Sequence, residues 1–261
     1  MSLFLSSLPL WLSALLLVGV TTALAMLGPI LVRRTVSLDR LTTNNEVAGF
    51  KFAVLGVIYA VMMGFAVIVV WERFHTAEEA VTQEAGAMAA LFRLSNGIEP
   101  EARTEIRGRI ASYARTAIEE DWPAMSRASL SPAATAALSD LYGAVMVVPP
   151  ANPRDIAVMA EMFHQLDLLT QSRRQRLTLA SGILPAVLWL ALTSGAVITL
   201  GFTFFFGTSS LRAQTLMTGL LALTIFIGLF VVVVIDHPFT GPVSVGTEPL
   251  EYVLRDLGGV R

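Results

Sequence analysis

The hydrophobic pattern divides the chain into four long apolar stretches, two on each side of a polar middle region. The stretches cover residues 10–32, 52–71, 177–206 and 216–235, and none of them contains a charged side chain. A helix of about 20 apolar residues is long enough to cross the ~30 Å hydrocarbon core of a bilayer. The pattern therefore predicts an all-α integral membrane protein with four transmembrane helices.

The middle region, residues 72–176, carries charged residues between apolar residues at helical spacing. No breaker follows the second apolar stretch, so one helix is predicted to leave the membrane and continue to Asn96-Gly97. Pro100, Ser131-Pro132 and Asn152-Pro153 each indicate the start of a further helix, and the last helix is predicted to continue into the third span. The predicted divisions are two spans (1–71), a helical extramembrane domain (72–176), two spans (177–235) and a short tail (236–261).

The first apolar stretch has one feature of a cleavable signal peptide, the small residues Ala23 and Ala25 on either side of Leu24. However, residues 1–8 contain no charged side chain, and apolar residues continue to Val32. A signal peptide needs a basic leading segment and a shorter apolar core. The pattern favours a retained transmembrane helix.

Composition narrows the class of function. The chain of 261 residues is 54% hydrophobic, has a formal net charge of −2 and contains no cysteine; its mean hydropathy is +0.67. The near-neutral charge gives no reason to expect a nucleic acid as partner, and thiol chemistry is excluded. The basic residues are almost all arginine, with Lys51 as the one lysine, which suggests a bacterial source.

The second apolar stretch has small residues at regular spacing, namely Gly49, Ala53, Gly56, Ala60 and Gly64. Small residues let helices approach closely in lipid. Two interpretations remain open: tight packing between spans of one subunit, or packing of this helix against copies of itself around an axis. In the second case Phe52, Gly56, Tyr59 and Met63 share a face and are predicted to line an apolar pore, which can gate ions by dewetting.

Polar residues at the start of this helix form a second candidate site. Asn44, Asn45, Glu46 and Lys51 could form a polar ring at the mouth of a pore, or Thr43 to Glu46 could simply cap the helix while Lys51 extends to the interface. Orientation is open, because basic residues flank both the short loops and the middle region.

Two other charged groups have structural interpretations. Asp236, His237, Pro238 and Gly241 follow the last span and predict an irregular turn held by side-chain hydrogen bonds. The acidic run Glu119-Glu120-Asp121 lacks the spacing of a calcium loop and is interpreted as a solvated helix end. No metal site, catalytic residue or cofactor is predicted.

The sequence contains none of the phosphate-binding, dinucleotide-binding, zinc-protease or serine-hydrolase motifs. No acidic residue or histidine lies inside a span, which disfavours a proton-relay transporter or an intramembrane protease. The chain is therefore not expected to be an enzyme.

Several short motifs together resemble a bacterial bestrophin-like membrane family. They are Asn45-Glu46-Val47-Ala48-Gly49, Tyr59 with Gly64, Val70-Trp71-Glu72, Glu84-Ala85, Leu184-Pro185 and Asp236-His237-Pro238-Phe239-Thr240-Gly241. The resemblance to this family covers most of the chain. The chain resembles the animal bestrophins, which are pentameric anion channels, only distantly.

The resemblance implies a homo-oligomer, with a pentamer favoured, in the bacterial inner membrane. It implies passage of small inorganic anions such as chloride, a pore lined by the second helix, and a cytoplasmic middle domain. Glycine interrupts the bulky apolar spacing that the animal proteins have in their narrow pore segment, and their calcium site has no counterpart here. The alternative function is a non-conducting scaffold or sensor whose helical domain binds a partner; a membrane transporter or enzyme is a weaker third option.

Overall fold

The computed structural model describes residues 6–43, 45–150 and 152–259, without the side chains of residues 258 and 259. This part of the chain is built from helices, and no strand occurs in it. Four of its helices are long and apolar enough to cross a membrane. The predicted all-α membrane class is therefore confirmed.

The four spanning helices have clear bounds. Helix α1 runs over Leu10–Thr35, with a π-helical segment at Leu15–Val20, and α3 runs over Asn45–Leu94. The third and fourth spans are α8, Ala186–Thr203, and α9, Leu211–Ile235. A short helix α2, Leu38–Thr42, lies between the first two spans.

The chain divides into two compact units. One comprises the residues up to Glu72 together with Ile183–Asp236, and the other comprises Arg73–Gly182 with the residues from His237 onward. The long helix α3 contributes residues to both. Its continuity from Asn45 to Leu94 confirms the prediction that one helix carries the chain out of the second span.

The first unit packs its spans closely at glycines. The ring of Phe204 occupies the space beside Gly28, and the thioether of Met26 lies against Gly219. A Cβ atom at Gly219 would be 2.9 Å from the Met26 sulfur. Small residues thus bring backbones together where lipid offers no hydrophobic driving force.

The second unit surrounds its apolar core with helices from the middle region. They are α4, Pro100–Thr116, extended by a π-helical segment Ala117–Asp121; α5, Trp122–Met125; α6, Pro132–Met146; α7, Pro153–Ala180; and the C-terminal α10, Glu248–Gly259. Buried Met88, Leu91, Ile110, Leu141 and Leu166 belong to one continuous core cluster. The C-terminal segment joins this core through Phe239, Leu250 and Val253.

The predicted caps of the middle helices are confirmed. The Ser131 hydroxyl accepts a hydrogen bond from the Ala134 amide at 3.3 Å, and the Asn152 side chain accepts one from the Asp155 amide at 3.0 Å. Each cap precedes a proline at the first helical position, where the missing N–H costs nothing.

The prediction that the helix from Asn152-Pro153 continues into the third span is wrong. Helix α7 ends at Ala180, and the third span begins separately at Ala186. Gly182 has a φ of +101°, which ends the helix, and Pro185 cannot donate the backbone hydrogen bond that a continuous helix would need. The long third stretch is therefore a helix end, a turn and a span of 18 residues.

Candidate functional site

The part of α3 in the first unit has a packed face and an exposed face. On the packed face, the Phe52 ring stacks on Phe202 with centroids 6.0 Å apart and meets Phe206 edge-on at 5.6 Å. Tyr59 is 6% exposed and lies against Gly195 of α8. This face joins the helix to its own neighbours.

The four residues predicted to line a pore lie on or beside this packed face. Phe52 and Tyr59 contact the α8 region, and Met63 lies against Gly228 of α9. Gly56 is partly buried. Tyr59 is buried by this packing, whereas Phe52 and Met63 are partly buried, and a pore lined by these four residues stays a prediction.

The small residues predicted to pack helices lie mainly on the exposed side of α3. Ala53, Ala60 and Gly64 are exposed, and Gly49 is only partly buried. A Cβ atom added at Gly49 or Gly64 would meet no atom within 4 Å. Spans of the same unit therefore do not occupy the space beside Gly49 and Gly64. Packing of the small residues against another copy stays a prediction.

The exposed face of α3 is apolar from Phe50 to Ile68. Its large side chains recur every three or four residues, and each is at least 49% exposed: Phe50, Val54, Val57, Val61, Phe65 and Ile68. On a helix of 3.6 residues per turn these positions form one stripe. The small residues Ala53, Ala60 and Gly64 lie along its flank.

The predicted polar mouth residues have different roles. Asn45 forms a two-way clamp with Gly207, because its side-chain amide donates to the Gly207 carbonyl at 2.6 Å and its oxygen accepts from the Gly207 amide at 3.1 Å. Glu46 and Lys51 are exposed, and Asn44 lies outside the described residues. The Thr43 hydroxyl donates back to the Asp39 carbonyl, and its role as a cap of α3 stays a prediction.

The turn after the fourth span is held by side-chain hydrogen bonds, as predicted. One Asp236 carboxylate oxygen accepts from the amides of Ile183 and Leu184, at 3.2 and 2.8 Å. It thereby satisfies two backbone donors just before the third span begins.

The rest of this turn docks within the second unit. The His237 ring lies over Gly182, the Phe239 ring meets Trp122 edge-on at 5.8 Å, and the Thr240 hydroxyl donates to the Ser126 carbonyl. Pro238 accepts from the Val245 amide through its carbonyl. Gly241 has a φ of +83°, a left-handed conformation that favours glycine.

Sequence reasoning missed a buried charge cluster in the second unit. Arg176 donates to both oxygens of Glu84 and to Asp121, while Arg173 forms a bidentate pair with Asp121 at 3.0 and 3.2 Å. The two carboxylates and Arg176 have no exposure, and Arg173 is 7% exposed. The two positive and two negative charges balance, which buried ions require.

The aromatic side chains of Tyr113 and Trp122 complete this cluster. The Tyr113 hydroxyl donates to Glu84 at 2.5 Å, and the Arg176 guanidinium lies 4.6 Å from the centre of the Trp122 ring. Burial raises the pKa of Tyr113 well above its usual value, and the neighbouring Glu84 carboxylate raises it further. Burial alone would lower the pKa of Arg176, but Glu84, Tyr113 and Asp121 together outweigh burial, so the net pKa is raised.

One interpretation of charged residues is corrected by this cluster. Asp121 is fully buried and paired, so only Glu119 and Glu120 of the acidic run are exposed. Glu84, one of the charged residues that the middle region carries between its apolar residues, lies inside the core. The available signal was the apolar surroundings of Glu84, with Val81 and Met88 one turn away on either side.

Comparison with known proteins gives a fold relationship. A crystal structure of a bacterial bestrophin homolog from Klebsiella pneumoniae, carrying one substitution, has a TM-score of 0.71 at 15% identity, covering 92% of this chain and 98% of that one. A second substituted form of a bacterial bestrophin homolog from the same organism has a TM-score of 0.69 at 16% identity, covering 92% and 97%. A crystal structure described as a membrane protein has a TM-score of 0.72 at 17% identity, covering 93% and 98%.

The curated proteins contain no match to the chain. The family comparison, however, is extensive, because the bestrophin-like domain matches residues 19–250. That match includes most of the first span, the other three spans and the buried charge cluster, and it confirms the resemblance seen in the sequence motifs. The chain therefore belongs to the bestrophin-like family.

Proposed function

We propose that this chain is a subunit of an oligomeric channel that conducts anions, with the exposed face of α3 lining the pore. The bestrophin-like family and fold are those of channel-type membrane proteins and not of enzymes. The finer assignments, of the ion and the lining residues, rest on the contacts and charges of α3.

The observation that carries the proposal is the continuous apolar stripe formed by Phe50, Val54, Val57, Val61, Phe65 and Ile68. The opposite face of the helix packs on its own unit, and we infer that in a ring of subunits this stripe faces the axis. An apolar constriction of this kind passes ions only when it is wide enough to hold water. The proposal thus assigns the pore lining to the face of α3 opposite to the one that the sequence favoured.

The flank of α3 suits contact between neighbouring copies. Ala53, Ala60 and Gly64 are exposed beside the apolar stripe, and small residues allow two helices to approach closely in lipid. A ring of about five subunits is the arrangement that the family resemblance implies. The inner membrane and a cytoplasmic middle region follow from the same resemblance.

The charge along α3 supports anions over cations. Between Val47 and Trp71 the one charged side chain is Lys51, and it is exposed. Positive side chains lining an entrance favour anions, whereas cation channels use rings of acidic residues. Glu46 precedes Lys51 at the start of the helix, and its effect opposes selectivity for anions.

The test is chloride efflux from liposomes containing the purified protein, compared with empty liposomes. Val61→Trp should reduce efflux at least tenfold, and Val61→Ser should increase it, because a polar side chain keeps a narrow segment hydrated. The matched control is Val197→Trp, at an exposed position of α8, which should leave efflux unchanged.

Selectivity is measured from the reversal potential in a potassium chloride gradient across a planar bilayer. A potential near the chloride equilibrium value supports the proposal, and one near the potassium value contradicts anion conduction. If no variant conducts and the wild type does not either, the chain acts as a scaffold or sensor instead.

A further inference from the structure

A cavity of about 410 Å³ lies in the first unit, where α3 begins and the connection between α8 and α9 turns back. One wall comes from Asn45 and Phe52 of α3, and the other comes from residues after Thr203. Its lining residues are Asn45, Phe52, Thr203, Phe206, Gly207, Thr208, Gln214, Met217, Thr218 and Leu221.

One polar atom in the wall lacks a partner. Gln214 is 2% exposed, and its side-chain nitrogen donates to the Phe206 carbonyl at 2.5 Å. That bond fixes which end of the amide is the oxygen, and the oxygen is buried with no hydrogen-bond donor among the described residues. A buried acceptor without a donor costs stability, so an occupant that donates a hydrogen bond there would be favoured.

Three other polar side chains in the wall, those of Asn45, Thr203 and Thr208, already have partners. Asn45 is clamped to Gly207 through both ends of its amide. The Thr203 hydroxyl donates to the Leu200 carbonyl, and the Thr208 hydroxyl donates to the Ser210 carbonyl. Among these side chains, the Gln214 oxygen is therefore the acceptor that still lacks a hydrogen-bond donor.

The remaining surface calls for an apolar occupant. Phe52, Phe206, Met217 and Leu221 supply ring and aliphatic walls, and the volume is many times the roughly 30 Å³ that one water takes in the liquid. Water could donate a hydrogen bond to the Gln214 oxygen, but the apolar walls would then remain hydrated. An amphipathic molecule, with an acyl chain and a hydrogen-bond donor, satisfies both requirements.

Charge around this end of the spans favours an anionic headgroup. The segments 33–51 and 204–212 contain five basic residues, Arg33, Arg34, Arg40, Lys51 and Arg212, and two acidic ones, Asp39 and Glu46. The Arg33 guanidinium donates to the carbonyl of Thr208, a cavity residue, at 2.7 Å. No carboxylate of the described residues forms an ion pair with Arg33. Basic residues at a membrane surface attract anionic lipids.

We propose that this cavity binds an anionic glycerophospholipid with a hydroxyl-bearing headgroup, such as phosphatidylglycerol. A headgroup hydroxyl donates to the Gln214 oxygen, an acyl chain lies against the apolar wall, and the phosphate lies beside Arg33. The proposal goes beyond the channel function and does not depend on conduction.

The test is native mass spectrometry of the detergent-purified full chain after addition of equal amounts of phosphatidylglycerol and phosphatidylcholine. Wild-type protein should retain phosphatidylglycerol at least fivefold over phosphatidylcholine. Leu221→Trp, which fills the cavity, should lower the retained phosphatidylglycerol at least fivefold. The matched control, Leu220→Trp at the exposed neighbouring position, should retain it as the wild type does.

A second variant tests the donor requirement. Gln214→Met keeps the size of the side chain but removes the oxygen, so the preference for phosphatidylglycerol over phosphatidylcholine should fall to less than twofold. Equal retention of both lipids by the wild type would overturn the proposal, as would retention unchanged by Leu221→Trp. Absence of any retained lipid would also overturn it and would indicate water or a second copy of the chain in the cavity.

Discussion

Arg176 and Glu84 form a bidentate pair inside the second unit, with nitrogen-to-oxygen distances of 2.8 and 3.0 Å and no exposure of either side chain. The pair joins α3 to α7, two helices that are 92 residues apart at this point. Because α3 also forms the second span, the pair fixes the C-terminal part of the proposed pore helix within the second unit.

Removing the positive charge of Arg176 should strongly destabilise the second unit. Arg176→Met leaves the Glu84 carboxylate buried beside Asp121, and breaking a buried pair in this way costs about 3–5 kcal/mol. The measurement is the free energy of unfolding of the detergent-purified protein in denaturant. Arg174→Met, at an exposed position of the same helix, should change it by less than about 0.5 kcal/mol.

The double variant Glu84→Gln with Arg176→Met should be less destabilised than Arg176→Met alone. In the double variant the remaining buried charges are Asp121 and Arg173, which still neutralise each other through their bidentate contact. The coupling free energy from the double-mutant cycle should therefore be favourable by about 1–3 kcal/mol. Additive losses would show that the charges do not interact through this contact.

Tyr113 should make the stability fall at high pH. Its pKa is raised above 10 by burial and by Glu84, so between pH 10 and the folded-state pKa the unfolded chain releases the phenol proton while the folded chain keeps it. The free energy of unfolding should then fall by about 1.4 kcal/mol per pH unit from this group.

The measurement is the slope of unfolding free energy between pH 10 and 11. Tyr113→Phe should remove the part of the slope due to this phenol, while Tyr252→Phe, at a position 60% exposed, should retain it. An identical slope in wild type and Tyr113→Phe would contradict the assignment.

The sequence predicted the helices better than the roles of individual side chains. Apolar length alone defined the spans, and Ser131 and Asn152 marked helix starts, because these signals are local. The charge cluster depends on residues up to 92 positions apart, so no local pattern reveals that Glu84 and Asp121 have buried partners. The interpretation of Asp121 as part of a solvated helix end failed for that reason.

The same limit applies to α3. Its small residues and its bulky residues both recur at helical spacing, so periodicity identified the faces but not which one meets the neighbouring spans. The rings of Phe202 and Phe206 decide that by covering Phe52, and they lie about 150 positions further along the chain. The break at Gly182 was missed because its left-handed conformation depends on the surrounding turn.

Gly182→Ala should destabilise the second unit. Gly182 has a φ of +101°, and a Cβ atom there would lie 3.1 Å from the His237 ring nitrogen. Conformational strain and crowding should together cost about 1–3 kcal/mol. Gly108→Ala is the matched control and should change the free energy of unfolding in the opposite direction. Gly108 is an exposed residue of α4 with open space at its Cβ position. It should stabilise by about 0.5–1 kcal/mol, and the same denaturant measurement compares the two.

Gly64→Leu should weaken the assembly of subunits without unfolding them. Gly64 is exposed on the flank of α3, and its Cβ position meets no atom within 4 Å in the single chain, so a larger side chain is tolerated there. Between two helices in a ring the same side chain would separate the backbones and remove close contacts. Light scattering of the detergent-purified protein should show a smaller mass than the wild type, while circular dichroism remains unchanged. Gly201→Leu, on α8 and also with an open Cβ position, serves as the matched control and should keep the wild-type mass. An unchanged mass for Gly64→Leu would remove the flank from the proposed contact between subunits.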